Sequence, residues 1–278
     1  MTIASPFVKA AGGKSKLLPE IMTRAPSFQG AYHEPFLGGG SVFLAIAAAN
    51  PEKTAAGRIW ANLSDANPEL MNAYEVVRSH SEKLCGKLKA LKASYSQDTY
   101  YAVRSREETE PVARAARFIF LNKICFNGLY RVNSKGKFNV PFGKYKNPRI
   151  YDPEVLSIWG TLLLGAAIRC EDFGASIGRS AKGDFLYADP PYLPRSKTAD
   201  FTSYTSDKFT LSDHERLAAS LVSASGRGAL FLCSQGDSPA IRSLYKGFSI
   251  SQVSVRHTVG AKAASRGKVD EVLIQNYA

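Results

Sequence analysis

The sequence contains few cysteines, and they are not arranged in pairs. Its four cysteines lie far apart along 278 residues, and no two of them form a C-x-x-C motif. The pattern therefore indicates neither a disulfide framework nor a zinc site, and we expect no metal. Three cysteines lie in apolar runs and are typical of small buried side chains: Cys125, Cys170 and Cys233.

Long apolar runs are also missing. The longest run, Val42–Ala49, is far too short to span a bilayer, and the amino terminus has no apolar signal core. We therefore expect a protein that does not enter the membrane and that resides in a reducing cytoplasm.

Acidic residues are scarce relative to basic ones. The chain has 36 Lys and Arg against 24 Asp and Glu, which gives a net charge of +12. The shortage is most marked from Lys123 to Arg149, where seven basic residues occur without a single acid. Positive charge of this size favours a polyanionic partner, although a membrane surface would also attract it.

The glycine-rich segment Glu34–Ser41 lacks both common phosphate-binding signatures. It is not a G-x-G-x-x-G sequence, and it lacks the Lys-Ser/Thr pair of a P-loop. It follows a short apolar segment and precedes the helical pattern of Val42–Ala49. A strand, a glycine-rich turn and a helix in succession make room for a nucleotide-like cofactor. A lone glycine triplet is a weak signal, because many strand-to-helix turns use glycine.

The segment Asp189-Pro190-Pro191-Tyr192 directly follows an apolar run. Asp189 can accept one N–H of a planar exocyclic amine. Prolines remove competing backbone donors and fix φ, so the main-chain carbonyl of Pro190 can accept the second N–H. Tyr192 offers a flat face on which a base can stack. An ordinary turn after a strand is the alternative interpretation.

Strand-like and helix-like patterns alternate over much of the chain, which favours a mostly parallel α/β sheet. The last two strands have no helix between them and predict an antiparallel hairpin joined by a basic loop from His257 to Lys268. Helical patterns occur at 14–24, 40–49, 211–224 and 238–245. Strands are predicted near 31–36, 58–64, 166–172, 184–189, 228–234, 249–256 and 270–277.

The stretch 69–152 breaks this alternation and predicts an inserted second domain. Amphipathic helices are predicted near 69–93, 98–107 and 111–125. A β-hairpin follows over Arg131–Phe138 and turns at Ser134-Lys135-Gly136.

The glycine-rich segment and Asp189–Tyr192, in this order, resemble the amino-methyltransferases that use S-adenosylmethionine. The chain resembles more closely the Dam-type DNA adenine N6-methyltransferases, over nearly its whole length. That resemblance implies a seven-stranded, mostly parallel, Rossmann-like methyltransferase sheet. It also implies a catalytic domain of residues 1–68 and 153–278 and a target-recognition domain of residues 69–152. The matching segments are Phe7–Lys14, Glu34–Ser41, Ser64–Asn67, Phe126–Arg131, Lys137–Tyr145, Asp189–Tyr192 and Val269–Glu271.

The resemblance implies an S-adenosylmethionine site. Lys14 would contact the methionine carboxylate and Asp65 the ribose, although Asp65 could instead cap a helix. Asp172 would contact the adenine, and Ala10 stands where the family commonly has an aromatic residue. The predicted cofactor residues are Ala10, Lys14, Glu34, Phe36, Gly38, Gly40, Ser41, Asp65, Asp172 and Asp189.

It also implies a DNA interface. Phe126 would wedge into the base stack, and Arg131 would bind guanine in a bidentate manner. The alternative is a helix cap with a scattered aromatic and cation. The predicted DNA-binding residues are Lys9, Phe126, Asn127, Leu129, Arg131, Asn133, Pro141, Lys144 and Tyr145.

The predicted reaction is methyl transfer to N6 of a flipped-out adenine in double-stranded DNA, at GATC, with Asp189, Pro190 and Tyr192 as the catalytic residues. We expect a monomer in a bacterial or phage-infected cell. One alternative is methylation of RNA or of another exocyclic amine, and another is a DNA-binding relative that has lost catalysis. His33 and His214 are interpreted as structural.

Overall fold

The computed structural model of the chain describes residues 5–10, 14–133, 136–193, 209–256 and 268–278. These residues include one seven-stranded sheet. Its strands are β1 (Tyr32–Glu34), β2 (Ala61–Asp65), β3 (Ala166–Cys170), β4 (Phe185–Ala188), β5 (Leu230–Gly236), β6 (Ser249–Arg256) and β7 (Lys268–Gln275).

The strands lie in the order β3-β2-β1-β4-β5-β7-β6. The first five are parallel to one another, and β7 is antiparallel to both β5 and β6. The predicted sheet, with its mostly parallel character and its final hairpin, is therefore confirmed. Most of the basic loop predicted to join the last two strands, residues 257–267, lies outside the described residues.

The predicted helices are present, with one difference at the start. Residues 14–16 form a 3-10 turn, and α1 begins only at Leu18, because Pro19 lacks an N–H and suits a first helical turn. Three further helices are additions to the prediction: α3 (Pro51–Ala55), α7 (Pro153–Leu163) and α8 (Phe173–Gly178). The helices are α1 (Leu18–Arg24), α2 (Ser41–Ala49), α3 (Pro51–Ala55), α4 (Pro68–Ala93), α5 (Gln97–Ser105), α6 (Pro111–Ile124), α7 (Pro153–Leu163), α8 (Phe173–Gly178), α9 (Leu211–Gly226) and α10 (Pro239–Leu244).

A polar residue followed by proline starts five of these helices, and in four of them the polar side chain caps the helix. The side chains of Asn67, Glu110, Asp152 and Ser238 each accept main-chain N–H groups of the first turn, and the next residue in every case is proline. The side chain satisfies donors that have no partner inside the helix, and the proline supplies a suitable φ. Thr210 starts α9 differently, through a reciprocal capping box with Asp213.

Helices cover both faces of the sheet. On one face lies a core that includes Phe43 of α2, Val77 of α4 and Trp159 of α7. On the other face, Ile177 of α8 and Leu217 of α9 belong to a second core. The apolar side chains of α5, α6 and the hairpin region are continuous with the first core. The segment 69–152 therefore packs directly onto the sheet layer.

Two details shape this inserted segment. α4 is kinked at His80, whose φ is −142°. In the predicted hairpin, Val132 bridges Phe138, and the Asn133 N–H donates to the Lys137 carbonyl at 2.9 Å. The turn residues Ser134 and Lys135 lie outside the described residues.

Replacing Gly40 by alanine should destabilise the fold more than a matched glycine replacement. Gly40 has a φ of +67°, and an added Cβ would lie 2.5 Å from Trp159 Cη2 and 2.9 Å from the Tyr74 hydroxyl oxygen. Gly57 has a similar φ of +65°, but an added Cβ would meet nothing within 4 Å. We expect Gly57→Ala to cost about 1 kcal/mol through backbone strain alone. Gly40→Ala should cost about 1–3 kcal/mol more through overpacking.

Denaturant unfolding of the two variants checks this prediction. Equal losses of unfolding free energy would contradict the close packing of Trp159 against the glycine turn.

Candidate active site

The glycine-rich turn and the Asp189–Tyr192 segment follow neighbouring strands. The turn follows β1, Asp189 follows β4, and the two strands are parallel neighbours in the sheet. The helices after them, α2 and α9, pack on opposite faces. A crevice opens at the carboxyl ends of two strands whose connections diverge in this way, and ligands of α/β sheets bind there. The sheet topology therefore brings both motifs to one crevice.

Hydrogen bonds fix the glycine turn to the end of β2. The Leu37 N–H donates to the Ser64 carbonyl at 2.9 Å, and the Gly38 N–H donates to Asp65 Oδ2 at 3.0 Å. The Tyr74 hydroxyl donates to the Gly38 carbonyl at 3.0 Å. Asp65 does not cap α4, because Asn67 does so. The Asp65 carboxylate instead holds the turn in place.

Asp189 has one carboxylate oxygen occupied and one open. Lys14 Nζ lies 2.8 Å from Oδ1, and the Ser234 hydroxyl donates to the same atom at 2.8 Å. No described residue donates a hydrogen bond to Oδ2. Burial raises the pKa of Asp189, while the Lys14 ammonium opposes this rise. The arrangement leaves Oδ2 able to accept a hydrogen from an incoming group.

Tyr192 is held from several sides. Its hydroxyl donates to Glu271 Oε2 at 2.6 Å, and Lys14 Nζ lies 4.7 Å from its ring centroid. A Cβ added at Gly236 would lie 3.4 Å from Tyr192 Cδ2, so the ring rests against this glycine. The ring is thus fixed beside Asp189, as a stacking surface requires.

Acidic side chains are concentrated around the crevice. Glu34 is only 2% exposed, and its Oε2 accepts a hydrogen bond from the Tyr32 hydroxyl at 2.6 Å. Burial raises the pKa of Glu34 to about 8, and the nearby charges of Asp189 and Asp65 contribute to the rise. Burial also raises the pKa of Asp65. An ordered cation in the crevice would relieve this crowding of carboxylates.

Aromatic rings adjoin the glycine turn. Phe36 stacks on Phe173 with ring centroids 5.3 Å apart, and Phe209 lies against both rings. Asp172 precedes this cluster, caps α8 and forms a double hydrogen bond with Arg216. That pairing lowers the pKa of Asp172. Its side chain is 52% exposed, in contrast to the other predicted cofactor residues with carboxylates.

The remaining predicted cofactor residues lie on the turn itself or against it. A Cβ added at Gly39 would lie 3.4 Å from the Ala10 methyl group, so Ala10 packs against the turn. Ser41 is the first residue of α2. Lys14 contacts Asp189, an ion pair that the sequence does not indicate. The predicted cofactor residues therefore lie together around the glycine turn and the ends of β2 and β4, and Asp172 lies beside the aromatic cluster.

The predicted DNA-binding residues gather at the end of α6. The Asn122 side chain donates to the Lys9 carbonyl at 2.8 Å and accepts from the Lys9 N–H at 2.7 Å. Phe126 follows in a 3-10 turn and is 49% exposed. Asn127 has a φ of +55°, and Gly128 has a φ of +63° and packs against the Lys9 side chain. Leu129 continues the turn and is half-buried.

Backbone contacts bring the hairpin and its flanking loop to the same place. The Phe126 N–H donates to the carbonyl of Pro141 at 2.9 Å. Arg131 is exposed, and its Nε donates to Asn139 Oδ1 at 2.8 Å. Lys9 Nζ lies 4.4 Å from the Tyr145 ring centroid. Asn133 and Lys144 are both exposed on this surface.

A cavity of about 370 Å³ lies between the amino-terminal segment, α6 and the start of α7. Lys9, Lys123 and Arg149 contribute cationic groups to it, and Tyr145 and Tyr151 contribute aromatic rings. Burial and the charges of Lys9 and Arg149 lower the pKa of Lys123 to about 8. Sequence reasoning named Lys9 and Tyr145 as DNA contacts and singled out the basic stretch from Lys123 to Arg149, but it assigned no role to Tyr151.

Sequence reasoning also missed Asn122, Ser234 and Glu271 as supports of the site. Each lies within a helix or strand and has the pattern of an ordinary structural residue. Ser234 could have been found from its position, because it lies at the end of the strand predicted near 228–234 and side chains at strand ends can reach the site. Glu271 was quoted only as part of a resemblance.

Comparison with known proteins gives a consistent result. Residues 11–259 match the family model for the D12 class N6 adenine-specific DNA methyltransferase. A Type II methyltransferase from Lactococcus lactis subsp. cremoris is 38% identical over 280 residues, covering 98% of this chain and 95% of that protein. A Type II methyltransferase from Methanocaldococcus jannaschii is 38% identical over 291 residues, covering 98% and 99%. A DNA adenine methylase from Vibrio cholerae is 35% identical over 272 residues, covering 96% and 94%.

The chain belongs to the D12 class of N6 adenine-specific DNA methyltransferases. It is a DNA methyltransferase that acts on adenine, which confirms the family resemblance seen in the sequence. The comparisons give no support to an RNA-modifying enzyme or to an inactive DNA-binding relative. No helix among the described residues is long and apolar enough to cross a membrane.

The buried Glu34 carboxyl should make stability depend on pH. Its pKa is about 8 in the folded protein against 4.5 for an ordinary Glu, so the folded state keeps a proton that the unfolded chain has released. Stability should therefore fall as pH rises between these values, by up to about 1.4 kcal/mol per pH unit for this proton. Glu34→Gln should remove this part of the decline.

The measurement is denaturant unfolding of wild type and Glu34→Gln from about pH 5 to about pH 8. The control is Glu52→Gln, which changes an exposed glutamate. The same pH slope in all three proteins would show that Glu34 is not protonated in the folded state.

Proposed function

We propose that the protein transfers a methyl group from S-adenosylmethionine to N6 of an adenine flipped out of double-stranded DNA, at GATC. The state of Asp189 carries this proposal. Lys14 and Ser234 hold Oδ1, while Oδ2 accepts nothing from the described residues. The Pro190 carbonyl likewise accepts no hydrogen bond from the described residues. Two open acceptors on adjacent groups suit an NH₂ group, which has two hydrogens to donate.

The crevice fits S-adenosylmethionine in its charge and in its backbone. Its glycine turn has φ values of +48° at Gly38 and +67° at Gly40, which leave the backbone open to close approach. The carboxylates of Asp65 and Asp189 complement a cation, while the buried Glu34 carboxyl keeps its proton up to about pH 8. S-Adenosylmethionine, when bound, supplies a methyl group already activated on a positively charged sulfur.

Individual residues are assigned as follows. Asp65 would accept from the ribose hydroxyls while it continues to hold the Gly38 N–H. Phe36 and Asp172 would adjoin the adenine of the cofactor, since the aromatic cluster provides a flat apolar surface. Lys14 would lie near the cofactor carboxylate and Asp189 together, because its Nζ already borders the crevice.

Asp189 and Pro190 activate the target amine. The lone pair of adenine N6 is delocalised into the ring, so the nitrogen is a poor nucleophile. Its two N–H groups would donate hydrogen bonds, one to Asp189 Oδ2 and one to the Pro190 carbonyl. These hydrogen bonds favour a tetrahedral nitrogen with an available lone pair. Tyr192 stacks on the base and aligns it, so the protein contributes mainly orientation and electrostatics.

Base flipping follows from the position of N6 in DNA. N6 lies inside the duplex, and an enzyme that modifies it must extrude the nucleotide. Phe126 is a large apolar side chain that is 49% exposed, beside the left-handed backbone of Asn127. An exposed ring of this kind can fill the space left in the base stack.

The basic surface around the cavity would bind DNA phosphates. Lys9, Lys123 and Arg149 lie together there. Arg149 is paired with Asp152, whereas no described acid forms an ion pair with Lys123. A bound phosphate would raise the pKa of Lys123 again from about 8. Arg131, Leu129 and Pro141 would contact base edges. The GATC assignment depends on the family resemblance of the segments that contain these residues.

The two parts of the chain would divide these tasks. Residues 1–68 and 153–278 would form the catalytic domain, and residues 69–152 would form the target-recognition domain, acting as a monomer. Supporting this division, the cofactor residues belong to the first part, whereas all the predicted DNA contacts except Lys9 belong to the second.

Methylation of random-sequence DNA tests the proposed function. Purified protein is incubated with S-adenosylmethionine and the DNA, and N6-methyladenine is mapped at base resolution. We expect methylated adenines at GATC and a loss of about two to three decades in turnover for Asp189→Ala. The exposed Asp98 on α5 provides a folding control as Asp98→Ala. Near-normal single-turnover rates in Asp189→Ala would contradict the mechanism, and methylation at another sequence would overturn only the GATC assignment.

Arg131 should read a guanine rather than a phosphate. Its side chain projects from a backbone fixed by pairing between the Arg131 carbonyl and the Asn139 N–H at 3.0 Å. Arg131→Ala should cost about 1–3 kcal/mol, specifically at one base pair. Arg131→Lys should not restore it, because lysine lacks the planar fork.

A panel of single-base variants of the preferred site provides the measurement. Arg58→Ala is the matched control, because Arg58 is exposed and precedes β2 at the opposite end of the strands from the crevice. A uniform loss of activity over all sites, with a salt slope lower by about one unit, would identify Arg131 as a phosphate contact.

A further inference from the structure

Two hydroxyl groups lie beside the Asp189 carboxylate, those of Ser234 and Tyr187. The parallel strands β4 and β5 pair Ala188 with Cys233, so the next residues, Asp189 and Ser234, lie side by side. The Ser234 hydroxyl donates to Asp189 Oδ1 at 2.8 Å, and the Tyr187 hydroxyl oxygen lies 3.0 Å from Ser234 Oγ. The three side chains therefore form a continuous chain of hydrogen bonds across the two strands.

The direction of both hydrogen bonds follows from the hydrogens available. A serine hydroxyl has one hydrogen, and an ionised carboxylate can only accept. The Ser234 hydrogen is used in the bond to Asp189 Oδ1, so Ser234 Oγ must accept from Tyr187. Tyr187 and Ser234 are both buried. Among the described residues, Ser234 Oγ is the only hydrogen-bond partner of the Tyr187 hydroxyl.

The bond from Tyr187 limits where the Ser234 hydrogen can point. A hydroxyl hydrogen rotates freely and takes the orientation that suits its surroundings. The Tyr187 hydroxyl occupies a lone pair of Ser234 Oγ and leaves the hydrogen for Asp189. Linked hydrogen bonds also polarise and strengthen one another in a buried site. Tyr187 therefore supports the bond that Ser234 makes to the carboxylate.

Ser234 is the more permanent of the two partners that hold Asp189 Oδ1. Lys14 Nζ also lies 2.8 Å from Oδ1, but in the proposed function the same ammonium serves the cofactor carboxylate. A lysine ammonium stands on a flexible stem and has three rotatable donors. Ser234 belongs to β5, whose main chain is fixed by pairing with β4 and β7. When the cofactor is bound, the Tyr187–Ser234 pair would therefore determine which carboxylate oxygen remains free.

We propose that Tyr187 is a positioning residue, which donates to Ser234 Oγ and thereby holds the Ser234 hydroxyl on Asp189 Oδ1, so that Oδ2 remains directed at the target amine. This inference rests on the proposed function of Asp189. Tyr187 acts through Ser234 alone in this arrangement. Its effect on the reaction should therefore disappear when the Ser234 hydroxyl is absent.

A double-mutant cycle separates positioning from packing. Tyr187→Phe removes one oxygen and keeps the buried ring, Ser234→Ala removes the hydroxyl that contacts Asp189, and the double variant removes both. Tyr245→Phe is the matched control. Tyr245 is a fully buried tyrosine of the second core, and its hydroxyl oxygen lies 3.9 Å from Cys233 Sγ. The control therefore also removes a buried hydroxyl, but not one that leads to the carboxylate.

The first readout is the single-turnover rate of adenine methylation at saturating DNA and S-adenosylmethionine, per folded molecule as measured by circular dichroism. We expect Ser234→Ala to lose about tenfold, the scale of one hydrogen bond to a charged group, and Tyr187→Phe to lose about threefold to tenfold. The double variant should stay within about twofold of Ser234→Ala, whereas independent effects would multiply to about thirtyfold or more. Tyr245→Phe should match wild type.

The second readout is the pH dependence of the same rate. The Ser234 hydrogen bond opposes the rise that burial causes in the pKa of Asp189. Weakening this bond should raise that pKa further, because the bond favours the charged form. The acidic limb of the rate profile should therefore move to higher pH in Ser234→Ala, and in the same direction but less far in Tyr187→Phe. Tyr245→Phe should keep the wild-type profile.

Other ionisable groups near Asp189 would not produce such a shift. The charges of Lys14 and Glu271 act on the Asp189 carboxyl in opposite directions, and the substitutions change neither side chain. Glu34 has a pKa of about 8, so it keeps its proton along the acidic limb. Burial raises the pKa of Tyr192 well above its ordinary value, so this hydroxyl stays neutral there.

Several outcomes would overturn the inference while leaving the proposed function intact. These are a wild-type rate in Tyr187→Phe, losses that multiply in the double variant, or an equal loss in Tyr245→Phe. If Ser234→Ala does not fold, the rates and pH profiles of the two tyrosine variants decide alone. A near-normal rate in Asp189→Ala would instead refute the proposed role of Asp189, and the inference would fail with it.

Discussion

The buried ion pair between Lys14 and Asp189 is the contact on which both halves of the site depend. Lys14 begins the segment that leads into α1, and Asp189 ends β4, so the pair fixes the amino-terminal region in the crevice. It also places one cation among three acidic side chains, those of Glu34, Asp65 and Asp189. Removing the lysine would leave the largely buried Asp189 carboxylate with only the Ser234 hydroxyl, which is less favourable than losing an exposed ion pair. With Ser234, Lys14 also determines which oxygen of Asp189 remains open.

The amino-terminal segment connects the crevice to the basic surface through adjacent residues. Ala10 packs on the glycine turn, while Lys9 packs on Gly128 and lies over the ring of Tyr145. The two hydrogen bonds from Asn122 hold Lys9 to α6. A displacement of the end of α6 would therefore be passed to the glycine turn through two adjacent residues, Lys9 and Ala10. Proteins transmit strain in this way because packed contacts do not compress.

The sequence predicted most of the fold because its signals were local. The strand and helix patterns were clear. A polar residue before proline also signals a helix start, as Asp152-Pro153 does for α7, but this helix was not predicted. The two motifs could be assigned to one crevice because parallel strands share a carboxyl edge. The contacts between distant residues could not be read in this way. The Lys14–Asp189 pair spans 175 positions (189 − 14), and nothing local to Lys14 indicates its partner. The contact between His214 and Gln235 likewise appears only in three dimensions.

The proposed roles of Asp189 and Pro190 would select an amine but not a base. Two acceptors recognise an NH₂ group, and cytosine N4 carries one as adenine N6 does. Nothing in the open Oδ2 of Asp189 distinguishes the two bases. In the proposed mechanism, discrimination would therefore depend on the depth and shape of the space beside Tyr192, and on which nucleotide the proposed DNA-binding residues present. The rigid attachment of Tyr192 to Glu271 and Gly236 limits how far that space can adapt. With a fixed stacking surface, the position of the amine would depend on the size of the base to which it is attached. An acceptor pair that suits several bases would then form a site for only one of them.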